Sequence, residues 1–295
     1  MITKEQIKAF AHSLGMEMAG VSGVGRFAES PEGKHPTEIL PGCKSVIVIG
    51  TSLLDGIVQV NFRAFEEGRR DLKGLYGTYG YATLPNFALT YACYAIGKYI
   101  ETNTDAIATP LSTGPMTNGA QISLRHAAVA AGLGVMGWGG LLLTPEYGSR
   151  NRFGVILTTL DIDQDSMYDG PSLCNPESCG VCVKACPAGA LSKYGEEPSN
   201  RCAIDGRDIH YAKTDLIKCQ IAAYGMRKEF GGRDDYVASV DSTPEEFSEG
   251  FAKMPISPSG LQHQDSHHCG ACLSYCPAGK WGERFKKTGL TKGLT

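Results

Sequence analysis

The chain lacks a strong net charge. With 28 Lys and Arg against 31 Asp and Glu, its formal charge is −3, which excludes a general electrostatic pull toward nucleic acid or an anionic membrane. The basic residues near the C-terminus, Lys280, Arg284, Lys286, Lys287 and Lys292, read as solvated surface. It also lacks an uninterrupted apolar run. Residues 127–145 carry no charge over a length that nearly crosses a bilayer, but Gly132, Gly134, Gly137, Gly139 and Gly140 interrupt them. Each glycine costs a helix about 1 kcal/mol relative to alanine, so this is no membrane span. The opening MITKEQIKAF has charged residues where a secretory signal needs an apolar stretch. A cytoplasmic protein with no membrane partner is therefore expected, in a reducing compartment where disulfides do not persist. Low-complexity tracts are absent, as is any internal repeat beyond the cysteine motifs described next. A hydrophobic content of 42% over 295 residues suffices for one large domain or two ordinary ones.

What the chain has is cysteine. Eight of its eleven cysteines fall into two half-motifs, Cys174-x4-Cys179-x2-Cys182-x3-Cys186-Pro187, and Cys219 followed by Cys269-x2-Cys272-x3-Cys276-Pro277. Thiolate sulfur is the soft ligand that iron-sulfur clusters require, and short spacers let one loop present three thiolates to one cluster while a fourth arrives from elsewhere. The pattern predicts two 4Fe-4S clusters. In the crossed pairing of two-cluster ferredoxins, the cysteine before proline serves the other cluster. Cluster one would then take Cys174, Cys179, Cys182 and Cys276, and cluster two Cys186, Cys269, Cys272 and a distant ligand. Ser266 stands where a standard repeat would place that ligand, leaving Cys219 as the choice and Cys202 as its competitor. The first motif is also irregular, with Pro176 in the usual cysteine position. Zinc uses Cys-x2-Cys pairs too, but a zinc knuckle gives no reason to repeat x2-Cys-x3-Cys-Pro. Cys43 and Cys93, in apolar segments, read as ordinary buried thiols.

The first part of the chain alternates helices and strands. Thr3 can cap a helix with Ile7, Phe10, Ala11 and Leu14 on its apolar face, ending at Gly15, with a strand over 18–21 following. Strands are predicted over 45–50, 106–109 and 152–160, and helices over 85–100 and 123–131. Near Asp161 the periodic apolar segments give way to Gly, Pro, Ser, Cys and Asp. This sets two expected domains, 1–165 and 166–295, the second too loop-rich to bury much core and held together by its clusters. Gly132-x-Gly134-x-x-Gly137 matches the dinucleotide fingerprint in letters, but a helix precedes it and a strand follows, the reverse of the order that fingerprint needs. A flavin or nicotinamide reductase with clusters is thus a lesser reading. Asp208-Ile-His210-Tyr-Ala-Lys213 begins like a cobalamin histidine-ligand motif but has Lys213 in place of glycine, so His210 reads as a surface residue near the clusters.

Taken together, Leu124-Arg-His-Ala-Ala-Val-Ala-Ala-Gly-Leu-Gly134, Leu141-Leu-Leu-Thr-Pro-Glu-Tyr-Gly-Ser-Arg150 and Arg152-Phe-Gly-Val-Ile-Leu-Thr158 resemble the cobalamin-dependent epoxyqueuosine reductases and reductive dehalogenases, over nearly the whole chain. The resemblance implies an α/β (α+β) fold, with a nitroreductase-like cobalamin-binding core and a C-terminal ferredoxin-like domain. Electrons from a donor such as ferredoxin or flavodoxin would pass through the clusters to base-off cobalamin, which would reduce a small molecule by dehalogenation or by epoxide or C–O reduction. The glycines 132, 134, 137, 139 and 140 would let backbone approach the cofactor. Tyr91 or Tyr94 would donate a proton, with Arg150 or Arg152 stabilising the phenolate, and Asn118 would orient substrate. The cluster Tyr76, Tyr79, Tyr81 and Phe87 would line the substrate side. Epoxyqueuosine reductases carry an aspartate acid where this chain has Asn118, and asparagine cannot act as an acid at neutral pH. The chain also leaves no room, after its second cysteine motif, for the helical repeats that help many of them hold transfer RNA. A small-molecule substrate rather than transfer RNA is expected. The rival of another class is a non-catalytic electron-transfer protein that keeps the fold without cobalamin.

Overall fold

The computed structural model describes residues 2–81, 83–111, 121–256 and 268–280. Asn118, Ser266 and the basic tail beyond Lys280 lie outside them. Helix α1 (Lys4–Ser13) starts as a capping box: the Thr3 hydroxyl accepts from the Gln6 amide, and the Gln6 side chain accepts from the Thr3 amide. Strand β1 (Met18–Gly23), the short α2 (Pro36–Ile39) and β2 (Ser45–Ser52) follow. Next come α3 (Asp55–Glu66), α4 (Arg70–Tyr76), the long α5 (Leu84–Asn103), β3 (Ala108–Pro110), α6 (Leu124–Ala130), β4 (Val135–Met136), β5 (Leu142–Leu143) and β6 (Asn151–Thr158).

The main sheet has the order β1-β2-β6-β3, and every pairing in it is antiparallel. The fold is thus α+β, without the parallel crossovers of a doubly wound sheet. Its two central strands are nearly continuous apolar runs because both faces are covered: Val46, Ile47, Val48 and Ile49 are all 0% exposed. One face, with Val46, Val48, Val155 and Leu157, packs on the alanines of α6. The other, with Ile47, Ile49 and Ile156, packs on Ile7 and Ala11 of α1 and on Leu89, Cys93, Ile96 and Ile100 of α5.

The remaining elements are α7 (Val181–Lys184), the hairpin β7 (Ser199–Ile204) and β8 (Arg207–Ala212), α8 (Leu216–Tyr224), α9 (Pro244–Lys253) and α10 (Ala271–Ser274). The hairpin turns on Asp205-Gly206, both at positive φ, the backbone that a two-residue turn between twisted strands demands. The expectation that this part buries little core fails. Ile221, Ala222, Met226, Phe230, Val237 and Met254 form a buried cluster of their own. They come from separate segments, α8, the loop after it and the end of α9, and only the fold brings them together. The part beyond residue 165 also reaches back: Met167 and Ile204 join the core under the sheet, and Leu273 packs with Phe62 and Tyr76.

Candidate functional site

Two local structures carry the cysteines, and they are built alike. In Cys179-Gly180-Val181-Cys182 and in Cys269-Gly270-Ala271-Cys272 the glycine is left-handed, with φ of 60° and 61°, and opens a single helical turn, α7 or α10. Only a residue without a Cβ takes that bend at little cost, and it turns the chain between the paired cysteines. Each turn then runs through Cys-Pro-Ala-Gly, ending at Gly189 or Gly279, again at positive φ. The Ala190 amide donates to the Cys186 sulfur at 3.2 Å.

The charges acting on each thiol show which cysteines come together. Cys182 is pushed up to about 11 by burial and then by the charges of Cys276, Cys174 and Cys179. Cys174 is raised by burial, with Cys276 and Cys179 adding to it, and its sulfur accepts from the Trp138 amide at 3.4 Å. Cys272 is raised by burial and then by Cys269, Cys219, Cys186 and, more weakly, Cys182. Burial pushes Cys269 up to about 12, with Cys219 and Cys186 adding and Lys73 opposing. The structure therefore brings together Cys174, Cys179, Cys182 and Cys276 as one quartet, and Cys186, Cys219, Cys269 and Cys272 as another. Cys219, on α8, is exposed as a residue, although its thiol is crowded enough to be raised by burial. Cys202 joins neither quartet. Its sulfur lies 3.5 Å from His126 Nε2, and burial, Asp208 and Glu29 raise its thiol. Cys43 and Cys93 are buried. Among the described residues no three His, Cys, Asp or Glu side chains are drawn tightly enough to enclose a single metal ion.

A polar wall stands beside the second quartet. Arg152, at the start of β6, lies over the Tyr81 ring with its guanidinium carbon 3.9 Å from the centroid, and Tyr81 in turn stacks on His268 at 4.6 Å. Nε and Nη2 of Arg152 and the hydroxyl of Tyr76 are buried without a hydrogen-bond partner among the described residues. Burial, despite Arg152, raises the Tyr76 phenol, and burial followed by Arg152 lowers His268 to about 4. Arg125 on α6 donates to the Gly140 carbonyl; burial lowers its pKa, and Tyr211, Tyr81, Cys272 and Arg152 all act on it electrostatically. Two desolvated guanidiniums thus converge near Cys272.

A curated epoxyqueuosine reductase of Gloeobacter violaceus is 28% identical over 289 residues, spanning 86% of this chain and 84% of that protein. The chain is similar to the epoxyqueuosine reductases over most of its length. The epoxyqueuosine reductase of Lactococcus garvieae is 40% identical over 90 residues, a local match to 30% of this chain and 24% of that protein. A crystal structure of selenomethionine-labeled epoxyqueuosine reductase overlays 89% of this chain and 69% of that one at 15% identity, with a TM-score of 0.49. No protein-family model matches the chain. No helix among the described residues is long and apolar enough to cross a membrane.

The residues expected to act divide. Arg152, Tyr76 and Tyr81 stand at the wall. Arg150 is 1% exposed and holds the second cysteine loop, its guanidinium donating to the carbonyls of Ser274 at 2.8 Å, Cys276 at 2.6 Å and Ala278 at 3.2 Å. That geometry is structural, and burial lowers its pKa to about 9. Tyr91 and Tyr94 are 65% and 58% exposed on α5, and Tyr79 and Phe87 are exposed too. The arginine expected to stabilise a phenolate there stacks on Tyr81 instead. The glycines pack internally: a Cβ at Gly132 would meet the Ser166 carbonyl oxygen at 2.1 Å, one at Gly134 the Leu143 carbonyl oxygen at 2.0 Å, and one at Gly137 the Leu143 side chain at 2.8 Å. Gly139 abuts Cys182, and Gly140 faces Arg125 and Tyr211. His210 is half-buried rather than on the surface, edge-on to Trp138 at 5.0 Å. Sequence reasoning missed Arg125 and His268. Arg125 sits in the resembling segment itself, and its charge among alanines was the available signal.

Proposed function

We propose that this oxidoreductase passes electrons through two 4Fe-4S clusters, one per cysteine quartet, to an acceptor held against Arg125, Arg152 and Tyr81, where a small molecule is reduced. What supports the reading is that Cys276 acts on Cys174 and Cys182 of the first motif, and Cys186 on Cys269 and Cys272 of the second, as a crossed pairing requires. Eight thiols in two such groups fit the donor set of paired cubane clusters. The amides of Trp138 and Ala190, donating to Cys174 and Cys186, would stabilise the added negative charge on reduction.

The residues beside the second quartet fit a bound acceptor. Buried N–H and O–H groups without partners, as on Arg152 and Tyr76, are costly unless a ligand or water satisfies them. Cobalamin bound there would supply a cobalt centre able to reach low oxidation states. The chain's own part is to place the substrate with Arg125 and Arg152, to exclude water with Tyr76 and Tyr81, and to offer a proton. Tyr81, stacked under a guanidinium, is the phenol placed to do so, in preference to the exposed Tyr91 and Tyr94. The donor would be a low-potential carrier such as ferredoxin or flavodoxin.

A second reading, an electron carrier without cobalamin, draws on the glycine segment, whose open side is filled by the chain's own backbone. One measurement separates the two: iron, cobalt and zinc per chain after anaerobic purification from cells supplied with cobalamin. About eight irons and one cobalt support the reductase, and eight irons without cobalt support the carrier. Zinc without iron overturns both.

A further inference from the structure

The second quartet has a cation built against it that this reading leaves unused. Lys73 on α4 is 8% exposed. Buried lysines are rare because desolvation penalises the ammonium, so its surroundings must support the charge. Its Nζ donates to the Phe230 carbonyl at 3.0 Å and stands 5.1 Å from the centre of the Phe65 ring. Gly231 makes the room: a Cβ there would lie 2.8 Å from Nζ. Lys73 borders a cavity of about 270 Å³ together with Cys269 and Pro187, the residue after Cys186. One space is thus walled by the lysine, by one ligand of the second quartet and by the neighbour of another. Of the other charges lining it, Glu229 pairs with Arg227 at 3.0 Å and Lys228 with Asp234 at 3.7 Å. Lys73 acts electrostatically on Cys269, whereas only burial, other cysteines and backbone amides act on Cys174 and Cys182 in the first quartet.

We propose that Lys73 sets the order of the two clusters, its ammonium raising the potential of the cluster in the second quartet above that of the first. The inference rests on the two-cluster reading above. Reduction adds one negative charge to a cluster, and a fixed cation nearby in a medium of low effective dielectric stabilises that charge. Electrons arriving at the first quartet would then pass downhill to the second, beside Arg125 and Arg152.

The test is an anaerobic redox titration of the iron-loaded chain followed by electron paramagnetic resonance, comparing wild type with Lys73→Met and Lys73→Arg. Wild type should show two reduction steps, the upper one absent from Cys272→Ser. In Lys73→Met the reduced fraction at the wild-type upper midpoint should fall about threefold in ratio, about 28 mV at 59 mV per tenfold for one electron, with the lower step unmoved. Lys73→Arg, which keeps the charge, should restore the upper step. If the methionine variant loses iron, Lys73→Gln keeps a donor for the Phe230 carbonyl and carries the same expectation. An unmoved upper step at full iron content overturns the proposal, as does an equal shift of both steps or an arginine variant that behaves like methionine. A wild-type chain that loads iron for one cluster or none overturns the two-cluster reading, and this inference with it.

Discussion

The two cysteine quartets are made by nearly the same words of sequence, Cys-Gly-x-Cys-x3-Cys-Pro-Ala-Gly, yet they sit in unlike surroundings. The first lies under Trp138 and Gly139 and has no lysine or arginine among the charges acting on Cys174 or Cys182. The second is packed against α3 and α4, has Lys73 acting on Cys269, and stands beside two guanidiniums. Ligand identity alone does not set the potential of such a cluster, which depends on net charge, hydrogen bonds and exposure. The difference teaches that direction, from one cluster to the next, is written in the residues around the motifs rather than in the motifs.

The sharpest way to break the comparison is to remove one ligand from each quartet. Cys179→Ser and Cys272→Ser should each lose about half of the bound iron, and Cys202→Ser should lose none; equal loss in all three would dissolve the assignment. Next in size is Arg150→Met, which removes three carbonyl interactions of a buried guanidinium and should destabilise the chain by about 3 to 5 kcal/mol in urea unfolding, with Arg150→Lys giving little rescue. If the loop after Cys272 holds itself, the loss will stay near zero. A third effect lies on the hairpin side. Burial, aided by Arg125, lowers His126 from 6.5 to about 4, so the unfolded chain takes up that proton first as pH falls. Stability from this group is complete above pH 6.5 and is lost toward pH 4, about 2 kcal/mol between pH 7 and pH 5. Urea midpoints at the two pH values should show it, and His126→Asn should remove that part of the dependence. The smallest effect is expected on α5: Tyr91→Phe and Tyr94→Phe should leave unfolding midpoints unchanged and turnover within about twofold, since both side chains are largely in water. A large loss of turnover would return them to the site in place of Tyr81.

Much of this was legible beforehand. The Thr3 cap, the apolar runs of β2 and β6 and the helix entering at Pro85 each follow a local rule, and all appear within a few residues of their expected bounds. The crossed pairing of the cysteines is read from the proline after the last cysteine of each motif, which marks a recurrent loop. What escaped notice depended on tertiary placement. Arg150 and Arg152 are two residues apart, and nothing in their letters says that one ties down a loop while the other faces a stacked tyrosine. Residues two apart on a strand share a face, but Arg150 lies just before β6 and Arg152 within it, so the strand's alternation does not foretell the split. The glycine segment misled for a related reason: absent side chains permit close approach, but the chain's own carbonyls at Leu143 and Ser166 took the space. Tyr91 and Tyr94 share a helix with buried Leu89 and Ile96, and the side they fall on is fixed only when α5 meets the sheet.

Arg150 has one more consequence. It opens the central strand of the first part, while its guanidinium grips the backbone just beyond Cys272, where Gly148 and Gly279 also meet main chain to main chain. Loss of iron from the second quartet should therefore be felt far from the metal, as faster deuterium uptake in the amides of β6 and its partner β2. The sheet would serve as a reporter of cluster occupancy that needs no optical signal from the cluster itself.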